Sequence, residues 1–123
     1  KSAVHLSEHL HEAPVLIIPC LVFEQGRIAG DGAMQDLARK SLYSSIYPAV
    51  QNMLLACRAV GLAACLTTLH LMYEEPIARL LGLPDNAETM ALIPVGWPKA
   101  KFGPVKRVPV SEVSSRNKFG TPL

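Results

Sequence analysis

Gly61-Leu62-Ala63-Ala64-Cys65-Leu66-Thr67-Thr68-Leu69 joins the end of one helical pattern to the approach of another. Its apolar run closes on two hydroxyls. A short apolar strand that feeds a helix is where α/β-type folds present ligand-binding groups. Leu62 to Thr68 is therefore predicted as strand, with Thr67 and Thr68 at its ligand-facing end. On spacing alone the threonines are better accounted for as ordinary strand residues, since threonine suits the pleated state.

Upstream lies the strongest helical pattern in the chain. Ile46, Val50, Met53, Leu54, Cys57 and Val60 follow the helical period, with Ser44 or Ser45 as cap. Pro48 is placed in the first turn, where its missing N–H costs nothing, and Gly61 just past the end. Ala49, Leu55, Ala56 and Ala59 make the helix apolar nearly all round, which predicts burial in a core or a subunit interface. Downstream, a loop carries His70. A helix then runs from about Glu74 to Leu81, with acids and Pro76 in its first turn and Gly82 and Pro84 at its end. Ala87 or Glu88 to Trp97 reads as a strand interrupted by Pro94 and marked by Gly96.

The front of the chain is less regular. Val4 to Glu12 reads as a short amphipathic helix, with Leu6 and Leu10 on one face. Val15 to Phe23 reads as a buried strand, and Pro19 makes it either an edge strand or a bulged one. Glu24 to Tyr43, with Gly26, Gly30 and Gly32, is the loosest segment, holding at most a helical turn at Gln35 to Arg39. After Pro98 the chain is basic and irregular, with a short strand arm at Val108-Pro109-Val110. A length of 123 residues predicts a single domain spanning the chain.

Composition narrows the function classes. Half the residues are hydrophobic and 18% charged, the reverse of a disordered chain. A net charge of +2 is too small to imply nucleic acid. Six of the 12 basic residues (Lys99, Lys101, Lys106, Arg107, Arg116 and Lys118) lie near the C-terminal end, opposed there only by Glu112. They form either a solvated tail or a site for a phosphate or other small anion. Cys20, Cys57 and Cys65 sit in apolar runs and read as reduced core residues of a cytoplasmic protein. No membrane span is expected: Val15 to Phe23 is too short, and Arg58 and Gly61 punctuate Met53 to Met72. His5-Leu6-Ser7-Glu8-His9 matches H-x-x-E-H, a zinc-hydrolase pattern, but no third ligand follows at helical spacing and no metal is expected. There is no G-x-S-x-G, P-loop or G-x-G-x-x-G. A hydroxyl-ended strand and the pair Lys106-Arg107 together suit a planar ligand with an anionic tail.

These residues resemble a family. Ser45-Ile46-Tyr47-Pro48-Ala49-Val50-Gln51-Asn52-Met53-Leu54-Leu55-Ala56 is similar to the central helix of FMN-dependent nitroreductases. Ala59-Val60-Gly61-Leu62, Leu66-Thr67-Thr68, Ile77-Ala78-Arg79-Leu80-Leu81-Gly82-Leu83-Pro84, Leu92-Ile93-Pro94-Val95-Gly96-Trp97-Pro98 and Lys106-Arg107-Val108-Pro109-Val110 follow in family order, covering about His9 to Val113. The resemblance implies an α+β fold, a nitroreductase-like mixed sheet flanked by helices. It implies a homodimer with FMN at the interface and hydride transfer from NADH or NADPH, through FMN, to a nitroaromatic, quinone or similar acceptor. Carried over by position, Thr67, Thr68 and Leu69 contact the isoalloxazine, and Arg107, helped by Lys106, binds the phosphate. The flavin supplies the chemistry, so no catalytic side chain is expected. Two departures stand out. Members usually carry Gly where this chain has Ala63 or Ala64. The family's opening arginine-rich segment and its Ser/Asn-bearing loop near Gln-Pro-Trp have no counterpart after Lys1, so the resemblance is to the C-terminal portion of the domain, with the N-terminal part missing. Two other functions compete: a member with different flavin chemistry, such as reductive dehalogenation or dehydrogenation, and a non-catalytic dimerisation or ligand-binding remnant.

Overall fold

A computed structural model describes residues 2–23 and 31–123. The elements are α1 (Ser2–His9), a 3-10 turn at Leu10–Glu12, β1 (Val15–Ile17), β2 (Cys20–Val22), α2 (Gly32–Ala59), β3 (Ala63–Ala64), a 3-10 segment at Leu69–Tyr73, α3 (Glu74–Leu81), β4 (Ala87–Thr89), β5 (Ile93–Gly96) and α4 (Val110–Val113). Helices flank two small antiparallel sheets, one ordered β1-β5-β3 and the other pairing β2 with β4. The class is α+β.

The two prolines explain why the expected strands are broken. Ile17 faces Ile93, but Cys20 faces Thr89. Two residues (Ile18 and Pro19) therefore stand opposite three (Met90, Ala91 and Leu92), which is a register slip of the bulge type. Met90 N–H donates to the Pro19 carbonyl across it, at 2.9 Å. The slip splits the expected Val15–Phe23 strand into β1 and β2, each an edge strand. It is also less buried than the apolar run suggested, with Val15 and Val22 more than half exposed. Pro94 acts on the other side of β5. Ala63 faces Gly96, Ala64 faces Val95, and Thr67 faces Leu92 in one continuous register. Thr67 and Leu92 exchange both backbone hydrogen bonds at 2.9 Å. Every second pair does the same in such a ladder, so Cys65 and Pro94 should be the next bonded pair. Pro94 has no N–H to give. The expected Leu62–Thr68 strand is thereby reduced to β3 and a single bridge at Thr67.

The long helix also departs from expectation. Positions 24–30 of the expected loose segment, including Gly26 and Gly30, lie outside the described residues. From Gly32 onward the chain is helical, capped by Asp31, whose Oδ1 accepts from Met34 N–H at 3.2 Å. Ser44 and Ser45 are not caps. Their hydroxyls turn back to the Ser41 carbonyl at 2.7 and 3.2 Å inside the helix. Pro48 is an interior residue, not a first-turn one. The C-terminal end is as read: Gly61 adopts φ +83°, its N–H bonds the Arg58 carbonyl, and Leu62 N–H bonds the Cys57 carbonyl. These two bonds close the helix as a Schellman motif. The helix at Glu74–Leu81 has the bounds expected and closes the same way at Gly82, φ +65°. Val108-Pro109-Val110 is not a strand arm, because α4 begins at Val110.

The core is where α2 lies on the three-stranded sheet. Val50, Ala91, Ile93 and Val95 are buried there, with Ile17, Ile46, Met53, Leu54, Cys57, Leu62 and Ala64 packed around them. The opposite side of α2 is open: Ala49, Leu55, Ala56 and Ala59 are exposed. Tyr43 donates to Glu88 Oε2 at 2.8 Å and Tyr47 to the Met90 carbonyl at 3.2 Å, pinning the helix to β4 and the β4–β5 connection. Among the described residues, no helix is long and apolar enough to cross a membrane.

Candidate functional site

Thr67 marks the far end of the β3 edge. Its main chain is locked to Leu92, and its Oγ1 accepts from Leu69 N–H at 3.3 Å, which turns the chain into the 3-10 segment. Thr68 is the residue before that segment; its carbonyl accepts from Leu71 N–H, and its exposed hydroxyl has no partner among the described residues. Thr67 and Leu69 then line a cavity of about 240 Å³ walled mainly by Leu6 of α1, Leu10 of the 3-10 turn that follows it, Ile77 of α3, and Leu92. Leu6 and Leu10 thus share the inward face their i, i+4 spacing predicts.

The basic residues separate into two groups. Lys99 and Lys101 join Arg58 around an open basin of about 540 Å³ at the C-terminal end of α2. The Arg58 guanidinium sits 3.6 Å from the Phe102 ring centre, a cation–π contact that ties the C-terminal arm to the helix. Arg58 was not singled out by sequence, because its neighbourhood with residues 99–102 depends on the path of the arm. Lys106 and Arg107 lie further along, exposed, and line neither this basin nor the cavity beside Thr67. Arg107 Nη1 donates to the Lys106 carbonyl at 3.0 Å, and neither residue forms an ion pair among the described residues. The structure therefore brings Thr67 and Leu69 together, with Thr68 between them, and leaves the phosphate candidates on a separate arm.

Sequence places His70 on a loop and gives it no role. It is 5% exposed on the 3-10 segment, borders the 240 Å³ cavity, and neither ring nitrogen has a hydrogen-bond partner among the described residues. Burial pushes its pKa below the ordinary 6.5, and the nearby Glu74 carboxylate pulls weakly the other way. The sign follows from proton counting. Between its usual pKa and the lowered folded value, the unfolded chain holds the proton and the folded chain does not, so stability rises with pH there. This contribution is complete above about pH 6.5 and is lost as pH falls through the folded value. Urea midpoints should fall from pH 7 to pH 5, and the fall should shrink in His70→Leu. An equal fall in both proteins would assign the acid sensitivity to other groups.

Cys65 offers no activated nucleophile. Desolvation raises its thiol pKa, the wrong direction for a thiolate. All three cysteines are free. The Glu12 carboxyl is held low, chiefly by its hydrogen bond to His9. Among the described residues, no group of three or more His, Cys, Asp or Glu gathers around a metal position.

The cleft at a strand end and the long helix laid across a small antiparallel sheet define an α+β class. Residues 1–97 match the model of the Nitroreductase family, and the chain belongs to that family. An iodotyrosine deiodinase of Drosophila melanogaster is 35% identical over 97 residues, 77% of this chain and 32% of the fly protein. A Parabacteroides distasonis protein provisionally named an NADH dehydrogenase/NAD(P)H nitroreductase superposes with a TM-score of 0.67 at 26% identity, covering 92% of this chain and 61% of that one. The FMN- and NADPH-dependent nitroreductase NfnB from sphigopyxis sp. strain HMH shares the fold, with a TM-score of 0.59 at 22% identity over 95% of this chain and 51% of its own. The chain thus spans about a third of the curated relative and half to three-fifths of these solved structures.

Proposed function

We propose that residues 1–123 act as one domain and supply one wall of an FMN site in an oxidoreductase. Hydride would pass from NAD(P)H, through FMN, to a nitroaromatic, quinone or similar small acceptor. The observation that carries this reading is the turn at Thr67–Leu69. Its main chain is fixed by Leu92, its Thr68 hydroxyl has no partner among the described residues, and Thr67 Oγ1, already an acceptor, keeps its own O–H to donate. Apolar side chains stand beside these groups, a combination that suits a planar ring with polar edges. Thr67, Thr68 and Leu69 would hold the isoalloxazine, and Arg107 with Lys106 the phosphate, since both cations lack a carboxylate partner among the described residues. FMN, when bound, supplies the two-electron chemistry; the residues bind it, orient it and keep water from one face. The uncovered apolar side of α2 supports a homodimer whose second copy covers it. The free cysteines favour a reducing, cytoplasmic setting.

The fly relative favours a second reading, reductive dehalogenation of a halogenated aromatic by the same flavin site. Purified protein should take up FMN and show a flavin absorption band that NADPH bleaches. Reoxidation by a nitroaromatic or quinone would support the first reading, and halide release from a halophenol the second. Protein that stays colourless with added FMN would leave a non-catalytic dimerisation or ligand-binding role.

A further inference from the structure

The His5–His9 motif of α1 lies apart from the groups assigned to the flavin. The two histidines are one helical turn apart, both are exposed, and their ring centres are 4.2 Å apart with planes inclined at 44°. Glu12 Oε1 lies 2.6 Å from His9 Nδ1. A carboxylate on one ring nitrogen fixes the tautomer and leaves the other nitrogen, here Nε2, for a metal. His5 makes no hydrogen bond among the described residues.

The ring separation and the count of two imidazoles favour one kind of ion. A nitrogen–metal bond of about 2.0–2.1 Å puts an ion roughly 3.2 Å from the centre of the imidazole it binds. With a nitrogen of each ring turned to one ion, two ring centres 4.2 Å apart would subtend about 80° at it. That is close to the right angle of square-planar and tetragonal coordination and far from the tetrahedral angle of zinc sites. We propose that His5 and His9, backed by Glu12, form a two-imidazole site for a tetragonal divalent transition ion, Cu(II) or Ni(II). Imidazole suits both ions, and they stand at or near the top of the first-row affinity order.

This departs from the expectation of no metal, which rested on the third protein ligand that a hydrolytic zinc requires. A tetragonal ion held by two imidazoles fills its other positions with water or an external ligand. The two histidines and Glu12 border a cleft of about 430 Å³, shared with Cys65 and Trp97, that has room for one.

The test is titration calorimetry of the whole chain with Ni(II) alone and with Cu(II) alone. One ion per chain is expected. His5→Ala and His9→Ala should each weaken binding at least ~10-fold, and Glu12→Gln about 10–100-fold, the usual effect of losing the partner behind a ligating histidine. His11→Ala and Cys65→Ser should bind as the parent does. Electron paramagnetic resonance of the Cu(II) form should show nitrogen ligands in a tetragonal field. Absent binding, unchanged affinity in both histidine variants, or a sulfur-ligated copper spectrum would each overturn the assignment. Because both histidines are exposed, circular dichroism of the variants should match the parent.

Discussion

Ile93→Ala is expected to lower the unfolding free energy by about 3–4 kcal/mol, within the 2–5 kcal/mol that truncating a buried isoleucine costs. Ile93 is fully buried and occupies the central strand of the three-stranded sheet. It faces Ile17 across the ladder and belongs to the cluster that seats Val50 of α2. Truncation removes apolar contact and leaves a void that β5 cannot close, because its backbone is held on both flanks. Domain stabilities of ~5–15 kcal/mol make this a large fraction of the total. Leu80→Ala is the control: Leu80 is 84% exposed, and its loss should cost less than about 0.5 kcal/mol. Urea denaturation measures both. A cost below about 1 kcal/mol at Ile93 would mean that α2 does not rest on β5 in solution.

The fold was legible where local signals agreed. The acids, Pro76 and Gly82 bracket α3, and the structure returns the same bounds. It was misread where a proline carried two meanings. Pro48 looked like a helix start because proline is favoured in a first turn, yet α2 runs through it. The competing signal was Asp31, an N-cap followed by Met34, Leu37 and Ala38 at helical spacing, hidden by the neighbouring glycines. Pro19 and Pro94 marked interruptions correctly, but sequence alone could not say that the first shifts a register while the second deletes one bonded pair. Those outcomes depend on which strand lies opposite and which way each N–H points.

The site was legible in a similarly uneven way. Thr67 closes the pairing with β5 and Thr68 opens the 3-10 segment, so the hydroxyl pair marks the end of the apolar run although the strand before it is shorter than expected. His70 was not legible. Nothing in Leu69-His70-Leu71 tells a buried imidazole from an exposed one, and its burial depends on α1 and α3 closing over the same cavity. Arg58 was hidden for the same reason, since it meets Lys99, Lys101 and Phe102 only through the fold.

Arg107→Ala should weaken FMN binding by about 1.5–3 kcal/mol, roughly 10–150-fold, the scale of a hydrogen bond to a charged group. Two cationic places compete for the phosphate. The Arg58–Lys99–Lys101 basin has more positive charge, but it sits at the C-terminal end of α2, where the helix dipole repels an anion. Arg58 is also engaged, with its guanidinium over Phe102. Arg107 spends only one N–H, on the Lys106 carbonyl, and keeps the rest of its fork for phosphate oxygens. Fluorescence titration of FMN against Arg107→Ala, Arg107→Lys and Arg58→Ala separates the two places. Arg107→Lys should recover part of the loss, because lysine keeps the charge without the two-pronged geometry. Arg58→Ala should change the affinity less than about 3-fold. The reverse ranking would move the phosphate to the end of α2 and remove Arg107 from the site.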